Sequence, residues 1–134
     1  MENTSVLIDT SVIIDYIRAK QKEKSLLYLL FKHDYEVFIS SITTFEVLNG
    51  LNPQNAELIE LIFNRINSVS FDYNVAKYSS LIYNDLKSKN QLIEIRDIFI
   101  AATAIFCKIP LATSNKKHFN RIDGLILFDK SFAS

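Results

Sequence analysis

The sequence predicts an α/β fold, a three-layer α/β/α sandwich around a mostly parallel central sheet. Three observations point there. Short apolar runs rich in strand formers, beginning with Val6-Leu7-Ile8, alternate with longer stretches whose apolar residues recur at helical spacing. The strand candidates lack the in–out alternation of a half-exposed sheet, as strands covered by helices on both faces do. The composition also suits a packed core, with 49% hydrophobic residues and only two Gly and two Pro among 134, which leaves little room for long irregular linkers. No internal repeat, low-complexity segment or break in composition divides the chain, so residues 1–134 are expected to form one domain.

In order along the chain, the first strand candidate runs directly into Asp9. Thr10 and Ser11 follow, with Ser11 the expected helix N-cap and Val12, Ile13, Tyr16 and Ile17 at helical spacing. Arg18, Lys20, Lys22 and Lys24, accompanied by the single acid Glu23, read as a solvated turn. Leu26, Leu27, Leu30 and Phe31 mark a second helix, and residues 36–40 a short strand. Residues 41–49 read as a helix that carries Ile42, Phe45, Val47 and Leu48 toward the core and stops around Gly50 and Pro53. Leu58, Ile59, Ile62 and Ile66 form the next apolar stripe, and residues 68–71 a weak strand. Val75, Tyr78, Ile82 and Leu86 predict a long amphipathic helix to about Lys89, with Asn90 tolerating the left-handed conformation of its exit. Asp97 heads the all-apolar stretch Ile98-Phe99-Ile100-Ala101-Ala102-Thr103-Ala104-Ile105-Phe106, a helix expected to be buried. Pro110-Leu111-Ala112-Thr113 is a strand candidate, Ser114-Asn115-Lys116-Lys117-His118 a polar loop, and Leu125-Ile126-Leu127-Phe128 a last strand.

Charge and cysteine content narrow the function classes. Lys+Arg and Asp+Glu number 15 each, which argues against a protein that coats nucleic acid through overall charge but leaves room for a local basic rim. The lone Cys107 lies in an apolar run and forms no disulfide within the chain, in keeping with a reducing cytoplasm. No secretory signal opens the sequence, and its longest apolar run, from Ile98 to Cys107, is too short for a bilayer. A soluble cytoplasmic protein without membrane association is expected.

Three acids interrupt apolar surroundings: Asp9 at the end of a buried strand, Glu46 between Phe45 and Val47, and Asp97 ahead of the apolar helix. Taken singly each has an ordinary reading, as a helix cap, an exposed helix acid or a partner for the helix dipole. Together they are costly to bury unless a cation neutralises them. Oxygen-only ligands select hard ions such as Mg²⁺ or Mn²⁺. No His/Cys cluster suggests zinc, and no Gly-rich loop cradles a nucleotide. An acidic metal cluster suits metal-assisted phosphodiester hydrolysis.

The segments Ile8-Asp9-Thr10-Ser11, Ser41-Ile42-Thr43-Thr44-Phe45-Glu46-Val47-Leu48-Asn49-Gly50, Asp97-Ile98-Phe99-Ile100-Ala101-Ala102-Thr103-Ala104, Ala112-Thr113-Ser114-Asn115-Lys116-Lys117-His118-Phe119 and Ile122-Asp123-Gly124-Leu125 stand in one order and spacing. In this the chain resembles, over essentially its whole length, PIN domains of the VapC type, the toxins of type II toxin–antitoxin pairs. The resemblance implies a PIN-like fold and a Mg²⁺- or Mn²⁺-dependent endoribonuclease that hydrolyses RNA by metal-activated water. It implies metal binding by Asp9, Glu46 and Asp97. Ser11 would orient the first carboxylate or hold a metal-bound water. Asn115 stands where many relatives carry a fourth acid and others Asn, and would bind water or substrate. Thr113 is the expected supporting hydroxyl, and Glu94 an outer acid or a cap. Relatives often carry Gly where this chain has Asn90, and again within Cys107-Lys108-Ile109. The implied partners are an RNA substrate, a cognate antitoxin that fills the cleft, and a second copy in a homodimer.

RNA requires positive charge near the acids. Lys116 and Lys117 follow the carboxyl end of the fourth strand, and Arg96 adjoins Asp97, so these three are the expected substrate contacts. His118 is expected on the loop surface. The competing reading is a non-catalytic PIN-like module that binds RNA or protein. A phosphoryl-transfer domain with Asp9 as nucleophile fits less well, because Thr10 and Ser11 occupy the positions where it would need a second acid.

Overall fold

The computed structural model describes residues 4–129. Strand β1 (Ser5–Ile8) lies between β2 (Glu36–Ser40) and β4 (Leu111–Ala112), and β3 (Asn67–Val69) pairs with the other side of β2, giving the order β3-β2-β1-β4. All of these pairings are parallel, with Leu7 opposite both Phe38 and Leu111. Parallel neighbours need crossovers, which here are helices on both faces.

Alternation along β1 builds the two cores. Val6 and Ile8 face one layer, where they meet Val12 and Ile13 of α1 (Thr10–Arg18), Leu27 and Leu30 of α2 (Leu26–Lys32), and Ile59 and Ile62 of α4 (Ala56–Phe63). Leu7 faces the other, with Leu86 of α5 (Tyr73–Ser88), Ile98, Ala101 and Ala104 of α6 (Ile95–Cys107), and Phe119 of α7 (Lys116–Phe119). The three β1 side chains are completely buried, each contributing about 1.5–3 kcal/mol relative to exposure. The small residues of α6 allow it to lie close to the sheet. This double cover explains the unbroken apolar run that opens the sequence, and it fixes where that run must end: at the carboxyl edge of the sheet, with Asp9.

Several details differ from expectation. Asp9, not Ser11, caps α1: its backbone is extended and its carboxylate accepts the Ser11 N–H at 3.2 Å. The helix therefore starts at Thr10, immediately after the strand end. Helix α3 (Ser41–Asn49) is aimed by the Ser40 cap at the end of β2 so that Thr43 and Val47, one turn apart, are buried. Phe45 and Leu48 consequently point outward, 64% and 53% exposed, rather than into the core. The last predicted strand reduces to one parallel bridge between Leu127 and Leu111, because β4 offers only two residues before Thr113 turns toward Asp9. The weak third strand begins one residue earlier and ends two residues earlier than predicted. Asn90 and Lys108 both adopt the left-handed conformation, at φ 56° and 59°, at the two turns where relatives often carry Gly. No helix among the described residues is long and apolar enough to cross a membrane.

Candidate active site

Asp9 is 7% exposed, at the mouth of the central strands. Its Oδ2 accepts a short hydrogen bond from the Thr113 hydroxyl, and its Oδ1 accepts the Ser11 amide. The Thr113 hydroxyl oxygen in turn accepts the Asn115 N–H at 3.0 Å, and the Ser11 hydroxyl oxygen accepts the Ser114 N–H at 3.1 Å. The loop after β4 is thus tied to the loop after β1 through both side chains. Ser11 supports the carboxylate through its amide, while its hydroxyl holds the neighbouring loop.

Asp97 enters from the first turn of α6 and lines the same cavity, of about 510 Å³, as Asp9, Ser11, Glu46, Glu94 and Arg96. Burial, and then the charge of Asp9, push its carboxyl above the usual carboxylate range, and the nearby His118 opposes the rise. His118 Nδ1 lies 3.5 Å from Asp97 Oδ2, so this residue reaches the site instead of remaining a loop-surface histidine. Glu46 is held differently. The Thr10 hydroxyl donates to its Oε1 at 2.8 Å, and Arg96 pairs with its Oε2 at 3.2 Å. Arg96 also pairs with Glu94 at 2.8 Å, and both acids keep the guanidinium firmly protonated. Glu94 stands at the N-cap position of α6 without capping it through its side chain.

A sequence model described as the PIN domain matches residues 6–125. The chain belongs to the PIN-domain family. Ribonuclease VapC1 of Methanocaldococcus jannaschii is 35% identical over 132 residues, covering 96% of this chain and 90% of that protein. Among solved structures, VapBC2 from Rickettsia felis bound to a DNA fragment from its promoter aligns with a TM-score of 0.81 at 27% identity, over 92% of this chain and 97% of that one. DNA-bound VapBC from Salmonella typhimurium aligns with a TM-score of 0.83 at 25% identity, over 93% and 97%.

Within this PIN domain the donor set can be compared with the hard cation that the family implies. Asp9 and Asp97 offer oxygen alone, and the charge of Asp9 adds to the burial that raises the cost of ionising Asp97, as a carboxylate does where a cation would relieve its neighbour. That chemistry fits. Both Glu46 oxygens, by contrast, are engaged by Thr10 and Arg96. Among the described residues no group of three or more His, Cys, Asp or Glu side chains is arranged to hold an ion. The three expected ligands share a cavity without sharing a coordination geometry.

The expected substrate contacts separate. Arg96 lies among the acids, whereas Lys116 and Lys117 line a neighbouring, larger cavity; Asn115 and His118 line both. Sequence reasoning missed Thr10 and His118 as site residues. Thr10 had a usable signal, as the first helical residue after the capping acid; nothing near His118 distinguishes it.

Proposed function

We propose that this chain is a divalent-metal-dependent endoribonuclease, the toxin of a toxin–antitoxin pair. It acts in the cytoplasm as a homodimer restrained by a cognate antitoxin. The observation that carries this reading is Asp9, buried at the end of a central parallel strand and sharing its cavity with a second, partly buried carboxylate, Asp97, at the position where open α/β sheets place their ligands. The relatives named ribonuclease VapC and the VapBC complexes support it.

Asp9 and Asp97 would hold a Mg²⁺ or Mn²⁺ ion, and Thr113 and the Ser11 amide fix the orientation of Asp9. The bound cation supplies neutralisation of phosphate charge and a lowered pKa for the attacking water. Glu46, set by Thr10, would orient that water. Arg96 and Asn115 would meet the phosphodiester, and Glu94 keeps Arg96 in reach. His118, beside Asp97, is placed to donate a hydrogen bond to a phosphate oxygen.

The test is cleavage of a mixed cellular RNA pool with Mn²⁺, with and without chelator, beside Asp9→Asn. Discrete fragments lost in both controls support the reading. Undiminished cleavage by Asp9→Asn removes it. The second reading, a non-catalytic binding module, draws on the Arg96–Glu46 pair, which satisfies one acid internally. Calorimetry separates the two, because a scaffold takes up no Mn²⁺.

A further inference from the structure

We propose that the cavity beside the acid pocket is a subsite for the sugar–phosphate backbone of the RNA strand flanking the cut; this rests on the ribonuclease reading above. The cavity, of about 1140 Å³, lies between the turn after α1 and the segment from β4 to α7. Lys20, Lys24, Lys116, Lys117 and Arg121 line it, against the single acid Asp15. Since the chain as a whole is neutral, this is a segregation of charge, with anions gathered in one cavity and cations in the next. Among the described residues none of these five cations has an acidic partner within 4.0 Å, whereas Lys89 and Arg96 each hold two.

The arrangement is built rather than incidental. The Lys22 ammonium donates to the carbonyls of Tyr16 and Ile17 at 2.8 and 2.9 Å and lies 4.9 Å above the Tyr16 ring. It closes the end of α1 and turns the chain so that Lys20 and Lys24, two residues to either side, line one cavity. Asn115 and His118 border both cavities, so a strand crossing them passes without interruption from the acids to the cations. Phe128 is only 8% exposed and gives a base little to stack on, and the His118 imidazole stands at the border with the acids, beside Asp97, rather than among the cations. The subsite therefore reads phosphate charge and not base identity.

The test is fluorescence anisotropy of labelled single-stranded RNA of mixed sequence, with the full chain in chelator so that the strand stays intact, as a function of salt. Lys20→Gln/Lys24→Gln/Arg121→Gln is expected to weaken binding about tenfold. It should also make log K against log salt shallower by roughly 2, because each phosphate neutralised on a single strand adds about 0.7 to that slope. Lys77→Gln/Lys87→Gln/Lys108→Gln, cations that line neither cavity, should change neither. Thermal melting checks that both variants fold; should the first not, each of its single substitutions is expected to remove about a third of the slope change. Unchanged affinity and slope overturn the proposal, as does an equal loss in the control. Retained RNA binding with lost binding of a polyglutamate peptide also overturns it, assigning the cavity to a protein segment. Failure to cleave RNA with Mn²⁺ would fall on the ribonuclease reading, whereas the salt slope alone decides the subsite.

Discussion

Asp9 and Glu46 reach one cavity from two sides and are held there by different physics. Asp9 sits at a strand end, buried, with a hydroxyl from residue 113 and the amide of residue 11 on its two oxygens. Its position comes with the sheet. Glu46 sits on a helix whose neighbouring residues Phe45 and Leu48 face outward. It is held by the Thr10 hydroxyl and by Arg96, a long side chain that is 55% exposed and shared with Glu94. Backbone-anchored contacts between buried groups are insensitive to salt, whereas a half-exposed ion pair is screened and conformationally free. One side of the site is preorganised; the other adjusts.

The comparison is broken most severely at Asp9. Asp9→Asn is expected to retain the circular dichroism of the native fold while RNA cleavage falls below detection and Mn²⁺ uptake, read by calorimetry, is lost. Thr113→Val comes next. It keeps the shape but removes the donor to Asp9, and supporting residues of this kind cost about 10–100-fold in metal affinity or activity. Urea unfolding should also show a loss of about 1–3 kcal/mol from the buried acceptor left short of a partner.

Asp97 tests the preorganised side through stability. Its carboxyl is raised by burial and by Asp9, so the folded state binds this proton more tightly than the unfolded state. Stability from this group is present at low pH and is lost as pH rises through the folded pKa. Asp97→Asn is therefore expected to raise the melting temperature of the chelated protein at neutral pH, with the gain disappearing below the ordinary carboxylate range. Mn²⁺ should then stabilise the native chain but not the variant. The smallest change is expected from Arg96→Gln, below about 1 kcal/mol in stability for a half-exposed pair. Because it frees Glu46 to turn, calorimetry should find Mn²⁺ affinity raised; a fall would mean that the adjustable side depends on its arginine for shape.

The layer order and parallel sheet were legible in the sequence because Val6, Leu7 and Ile8 are apolar whichever face they present, and only a sheet covered on both sides accepts that. Asp9 and Asp97 were legible because acids in apolar runs demand a reason. The direction of α3 was not, since Phe45 and Leu48 are as apolar as Val47 and only the Ser40 cap decides which of them turn inward. Residues 125–128 have strand composition, but pairing needs a partner of equal length and β4 ends after two residues. The ion pair of Glu46 with Arg96 depends on side-chain rotamers, and the contact of His118 with Asp97 on how a four-residue helix docks. Neither leaves a mark in local sequence.

The bond between Thr113 and Asp9 spans 104 residues, and that separation has a meaning in time. On the ribosome the acid emerges 104 residues ahead of its anchor. A nascent chain halted just after Asp97 already carries Asp9, Glu46 and Asp97, yet it lacks β4, so β1 is still an open edge and Asp9 has no hydroxyl to hold it. A site assembled this way is closed only when residue 113 has been made and has folded against the end of β1, 104 residues after the acid it holds.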